Sequence, residues 1–257
     1  MRNGRIIIKI LAATAFIAAA IFGIYAYKAA NIYSSFDTSY EEIAEEYTDT
    51  AEIVVEETTE PGDILIERDI FPFHVDFDRL LNADEHVIGW IYLEDSPINY
   101  PVMKWTDNTY YLSHGMNGMD NTYGAIFADA GNMLDFSDAN TVLYGHHMNN
   151  GSGFAEVAKY KEQEYFNENP VMWLSTPTAD YRIDIYSCYI TKPDSDSYRI
   201  RFKDTEDYAS WLQRTIDNSL IVAEVAPSIS TRIITLSTCS YEFDGARCVV
   251  HGILTEV

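Results

Sequence analysis

Only three cysteines occur in 257 residues, and the count is odd. A fully paired disulfide scaffold is thereby excluded. Basic residues are scarce as well, 17 against 40 acids, for a net charge of −23. A nucleic-acid or polyanion binder needs a basic face, so no nucleic-acid partner is expected. Charged residues are 22% of the chain and aromatics 14%, with 19 Tyr. That balance rules out wholesale disorder. No internal repeat is visible, and no D-x-D-x-D-G loop or similar oxygen-ligand spacing occurs. Neither a metal site nor a cofactor is expected. With 47% apolar residues, the chain can build a core without a disulfide or metal staple.

The charge is unevenly placed. Residues 1–28 hold four bases (Arg2, Arg5, Lys9, Lys28) and no acid, whereas 37–69 hold 13 acids and only Arg68. Ile10 to Tyr27 is an uncharged apolar run. With its flanks it approaches the roughly 20 residues that span a bilayer core. Arg2, Arg5 and Lys9 precede it, so the positive-inside rule keeps the N-terminus cytoplasmic. A cleaved signal peptide has a similar layout, but the run is long for one and no small-x-small site closes it. The expected organisation is a cytoplasmic N-terminus (1–9), a single-pass signal-anchor (10–28), an acidic extracellular linker (29–70) and a catalytic domain outside the cell membrane (71–257). The linker reads as an extended, self-repelling stalk. Part of 40–47 could form a helix with Ile43 on one face.

From about Phe73 the texture changes. FHVDFDRLLNAD (73–84) has the apolar spacing of a short amphipathic helix. Eight runs rich in β-branched and aromatic residues follow, at 87–93, 98–103, 124–129, 140–146, 171–176, 180–190, 231–239 and 246–254. Gly, Pro, Asn or Asp punctuates most of the gaps. Helical patterns fit 153–166 and 205–219. Many strands with few peripheral helices predict a mainly β, closed or nearly closed barrel. In 180–190, alternation puts Arg182, Asp184, Tyr186, Cys188 and Ile190 on one face, with Ile183, Ile185, Ser187 and Tyr189 on the other.

Three residues at strand ends carry candidate chemistry. Cys239 closes the apolar run RIITLSTC before the polar turn SYEFDG. Arg247 opens the next strand, so an antiparallel hairpin would set it beside Cys239. A fixed cation there could lower the thiol pKa and hold an oxyanion. His146 ends VLYGH before an Asn/Gly-rich turn, and an imidazole there could protonate a leaving amine. Singly each signal is weak, because a core cysteine, a solvated arginine and a loop histidine are all common.

Together they resemble a known family. TLSTC (235–239) followed by Arg247 resembles the TLxTC…R signature of sortases, the cysteine transpeptidases of Gram-positive cell surfaces. NTVLYGHHM (140–148) resembles their YGH segment. Residues 75–118, IFAD (126–129) and the helix pattern at 205–219 are similar to class B sortases in particular. The resemblance implies an eight-stranded sortase barrel with an N-terminal helix and a helix between strands six and seven. It implies cleavage of an LPxTG- or NPxTN-like sorting signal after Thr, through a thioester, with transfer to an amine of peptidoglycan. Cys239 then matches the nucleophile, His146 the general acid/base and Arg247 the catalytic arginine. Thr238 and Ser237 fall in the signature as candidate substrate-groove residues. His147 makes a doublet, but neighbours on a strand point to opposite faces, so His146 is chosen. Cys188 and Cys248 remain either two free core thiols or one bridge. Alternatives are a class B-like pilin polymerase with a pilin Lys as acceptor, and a non-catalytic, membrane-tethered peptide-binding barrel.

Overall fold

The computed structural model describes residues 18–28, 39–50 and 71–257. It divides into two units, Met1–Glu42 and Ile43–Val257. In the first, residues 18–28 are helical, and Ile21, Phe22, Ile24, Tyr25 and Tyr27 are exposed. Among the described residues, no helix is long and apolar enough to cross a membrane. Residues 10–17 of the expected anchor lie outside the described residues, as do 29–38 and 51–70 of the expected linker.

The second unit differs from expectation at its start. Residues 43–50, assigned to the acidic linker from sequence, are folded. Residues 43–47 are helical and lead into β1 (Thr48–Thr50), which pairs antiparallel with β2 (Phe73–Val75). Ile43, Ala44 and Tyr47 pack with Phe71, Val75, Leu80 and Trp90. Within 43–50 the acids Glu45, Glu46 and Asp49 are exposed, and Glu46 pairs with Arg79 at 3.2 Å. Helix α1 (Phe77–Ala83) is capped by Asp76, whose side chain accepts from Arg79 N at 3.0 Å.

Eight strands close the barrel: β3 (Val87–Tyr92), β4 (Asn99–Lys104), β5 (Ile126–Ala128), β6 (Asn140–Tyr144), β7 (Val171–Ser175), β8 (Asp180–Thr191), β9 (Arg232–Cys239) and β10 (Arg247–Glu256). Their order around the wall is β10-β8-β7-β3-β4-β5-β6-β9. Each falls on one of the apolar runs read from the sequence. Two contacts are parallel, β4 with β5 and β6 with β9. Closure leaves the barrel itself no open edge for another chain to pair with.

Between β6 and β7 the single helix expected over 153–166 is broken. A 3₁₀ helix (Glu156–Lys161) and α2 (Gln163–Glu168) meet at Glu162, which is extended. Val157, Ala158 and Tyr160 are all buried, a spread too wide for the single stripe of a surface α-helix. Helix α3 (Thr205–Asp217) joins β8 to β9, as expected. Asp204 caps it, accepting from Asp207 N at 2.9 Å. It buries Tyr208, Trp211, Leu212 and Thr215, at helical spacing, against Tyr186, Ile233 and Ile253.

The alternation expected along 180–190 fails at one residue. Ser187 pairs with His251 but Ile185 pairs with Gly252, so Tyr186 is an extra residue in β8. Such a bulge breaks the two-residue period. Tyr186 and Ser187 therefore both reach Thr215 of α3, at 2.9 and 2.6 Å.

Candidate active site

The last residue of β9 is Cys239 and the first of β10 is Arg247, and the two are direct partners in the antiparallel ladder. Directly opposed side chains share a face. The turn between them is closed by Ser240 N to Ala246 O at 2.9 Å and Ala246 N to Phe243 O at 3.1 Å. Gly245 takes a left-handed φ of 73°, a conformation that glycine adopts without strain. The Arg247 guanidinium donates to the carbonyls of Gly245 and Ala246, at 3.2 and 3.0 Å. Glu242 anchors the turn from outside. It accepts from Lys161 at 2.8 Å and from the Ser240 hydroxyl. Hydrogen bonding by Lys161 and then Ser240 pulls its carboxyl down to about 2.

Strand β6 brings the histidines from the other side. Tyr144 is in parallel register with Ser237. Gly145 N continues the ladder to Ser237 O at 3.1 Å, and Thr238 Oγ1 donates to Gly145 O at 2.9 Å. β6 ends at Tyr144, and the two histidines lie in the segment that follows, where His147 and not His146 bonds Cys239. Gly145 has no room for a side chain, because a Cβ would lie 2.5 Å from Ile126 and 2.6 Å from Phe154. The glycine thus lets the chain leaving β6 pass close to Ile126 of β5 and to Phe154 before it turns.

The two imidazoles take different partners, although both lie beyond the end of β6. His146 Nε2 donates to Leu112 O at 3.0 Å. His147 Nδ1 donates to the main-chain oxygen of Cys239 at 3.0 Å, and its ring lies edge-on to Tyr241. Leu112 and Tyr241 are both exposed, so the cysteine mouth has an apolar rim on each side.

The three cysteines are free. Cys239 is half-buried, whereas Cys188 and Cys248 are fully buried with sulfurs 3.6 Å apart. Their mutual hydrogen bond and burial raise the Cys188 thiol well above its usual range. Ser237 and Thr238 are buried too. Their hydroxyls bond Tyr198 OH at 3.0 Å and Gly145 O, so both brace the site from beneath. Among the described residues, no group of His, Cys, Asp or Glu could hold a metal ion.

Tyr198, Leu112 and Glu242 were not legible as site residues in the sequence. Tyr198 follows a short 3₁₀ turn after β8. Burial raises its phenol, while Ser237 and Arg247 lower it and Cys239 raises it further. No local pattern marks a tyrosine that reaches back to another strand.

A closed eight-stranded barrel with a half-buried thiol opposite an arginine at its mouth is an arrangement suited to a cysteine transpeptidase. The comparisons with known proteins agree. The family model for the sortase domain matches residues 91–255, and the chain belongs to the sortase family. It is 35% identical to sortase B of Listeria monocytogenes over 176 residues, 68% of this chain and 71% of that protein. The solved Staphylococcus aureus sortase B–substrate complex superposes with a TM-score of 0.68 at 29% identity, covering 71% of this chain and 85% of that one. A Bacillus anthracis protein described as similar to sortase B gives 0.73 at 28% identity, covering 88% and 98%.

Proposed function

We propose that this transpeptidase cleaves an LPxTG- or NPxTN-like sorting signal after Thr and passes the protein to an amine of the cell-wall peptidoglycan. The observation that carries the reading is the ladder pairing of Cys239 with Arg247, beside the Tyr-Gly-His end of β6. The relatives named above support it, since one of them is a substrate complex of sortase B.

In the first half-reaction the Cys239 thiolate attacks the Thr carbonyl. Arg247 donates to the oxyanion of the tetrahedral intermediate. His146 gives its proton to the departing amine as the C–N bond breaks, leaving a thioester on Cys239. In the second, the acceptor amine attacks the thioester carbonyl, a C–N bond forms, and Cys239 leaves as thiolate. His146 takes up the proton that the amine loses. The amphiphilic order of the N-terminal residues supports a membrane-anchored enzyme, with 10–28 as signal-anchor and the domain extracellular.

The test is a quenched sorting-signal peptide, assayed with and without an added amine. Amine-dependent product with parent enzyme, and none with Cys239→Ala, is the expected result. A peptidoglycan stem-peptide amine and a pilin-type Lys peptide, compared as acceptors, separate wall anchoring from pilin polymerisation. Cleavage undiminished in Cys239→Ala overturns the reading.

A further inference from the structure

Tyr198 is held from both sides by one buried chain of hydrogen bonds. Its own hydroxyl meets Ser237 Oγ at 3.0 Å, two residues before Cys239 on β9. Its chain neighbours, Ser197 and Arg199, are the terminal contacts of a relay that runs through four barrel strands. Asn140 Nδ2 on β6 donates to the Arg199 carbonyl at 2.9 Å. Thr235 Oγ1 on β9 donates to Asn140 Oδ1 at 2.7 Å. With its one proton used, Thr235 accepts from His251 Nδ1 on β10 at 2.9 Å. His251 Nε2 is then the acceptor, and takes the Tyr189 hydroxyl proton from β8 at 3.0 Å. Tyr189 in turn accepts from Ser197 Oγ at 2.9 Å, and Ser195 Oγ donates to Ser197 at 2.9 Å.

Every proton in this chain points the same way, an arrangement in which each bond polarises the next. It requires a neutral His251 with hydrogen on Nδ1. Complete burial keeps the ring neutral, holding its pKa down to about 3, and the Thr235 oxygen facing Nδ1 sets the tautomer. The segment's other ties lead to β6, where the Tyr198 ring lies 6.0 Å from that of Tyr144, and to α3. Trp211 Nε1 donates to Asp196 O at 2.9 Å, Arg214 pairs with Asp196, and Arg199 pairs with Asp207.

We propose that the relay is a positioning device for peptide binding: Tyr189 and His251 act through Ser197 and Arg199 to hold Tyr198 against the Cys239 end of β9. Tyr189 and His251 touch no reacting atom, so they are positioning residues. The proposal rests on the reading of Cys239 as the nucleophile that meets the sorting peptide.

The experiment compares KM and kcat for the quenched sorting peptide. Tyr189→Phe removes the central hydroxyl and keeps the ring. Loss of one buried hydrogen bond should raise KM about five-fold, with kcat within about two-fold. Tyr186→Phe is the matched control, because its hydroxyl is equally buried but bonds Thr215 of α3 at 2.9 Å. It should lower the thermal midpoint similarly and leave KM unchanged. Ser197→Ala breaks the relay at its outer end and should reproduce the KM of Tyr189→Phe. The double variant should be no worse than either single one, since both cut the same chain. An unchanged KM in Tyr189→Phe and Ser197→Ala, with an active parent, overturns the relay. So does an equal KM rise in Tyr186→Phe. A parent that cleaves no sorting peptide removes the reading of Cys239, and the relay's role with it.

Discussion

Arg247 stands directly across the β9–β10 ladder from Cys239, and its guanidinium rests on the carbonyls of the turn that joins them. A planar guanidinium can give two directed hydrogen bonds to a tetrahedral oxyanion and the peptide carbonyl, whereas an ammonium is a point charge on a flexible stem. Arg247→Lys should therefore lower kcat for peptide cleavage by at least about 100-fold, although the charge is kept. A near-normal rate would reduce the arginine to background electrostatics.

Thiol accessibility separates the cysteines. Cys239 is half-exposed while Cys188 and Cys248 are fully buried. A single equivalent of an alkylating reagent should label Cys239 first, read by peptide mass mapping, and abolish turnover. Labelling of Cys188 or Cys248 at a comparable rate in the folded protein would contradict this assignment.

The histidine doublet is testable by paired substitution. His146→Ala should slow cleavage by at least the roughly 100-fold expected for losing a general acid. His147→Ala should cost far less, since its ring bonds a main-chain oxygen. A dead His147→Ala beside a healthy His146→Ala would reverse the choice of acid.

The start of the folded domain can be located by truncation. Ile43, Ala44 and Tyr47 pack into the same cluster as Leu80 and Trp90, and β1 pairs with β2. A chain starting at residue 43 should be more stable than one starting at 71, by roughly 2–4 kcal/mol of lost apolar burial. Urea unfolding followed by intrinsic fluorescence measures the difference. Equal midpoints would return 43–50 to the linker.

Glu242 sets an acid limit on the turn. Its folded pKa, about 2, lies below the ordinary 4.5. A depressed carboxyl stabilises the fold above its unfolded pKa, and that contribution is lost as pH falls from about 4.5 towards 2. The Lys161–Glu242 pair is more than a third exposed on each side, so its effect should be small and salt-sensitive. The thermal midpoint of Glu242→Gln should fall below that of the parent at pH 7, and the gap should close near pH 2. A constant gap across that range would show that the carboxylate contributes no such linkage.

The barrel was legible because each strand is a short β-branched or aromatic run ended by turn residues, as in VIGWIY and RIITLSTC. The ladder position of Arg247 followed from the length of the loop after Cys239. Of the candidate site, the pairing of Cys239 with Arg247 at the ends of β9 and β10 was legible from the run RIITLSTC and the start of the next one. What escaped depends on partners remote in sequence. Residues 43–50 carry acids that suggest solvent, yet their few apolar side chains find the α1 and β3 surface. The bulge at Tyr186 changes the period inside a run that otherwise alternates well. Tyr198 reaches Ser237 and Tyr144, 39 and 54 positions away in the chain, and no local pattern marks such a contact.

Parallel pairing of β6 with β9 has a further consequence for when the enzyme exists. Thr238 bonds Gly145 across 93 positions of chain, and His147 reaches the Cys239 carbonyl across 92. Contacts of such span must wait for a large loop to close, and they form late and slowly. The hairpin carrying Cys239 and Arg247 is local, so thiol and arginine meet early. The imidazoles arrive only when the wall is complete. In a partly folded chain Cys239 and Arg247 can thus be paired before either histidine reaches them, and the candidate site is complete only when the barrel is sealed.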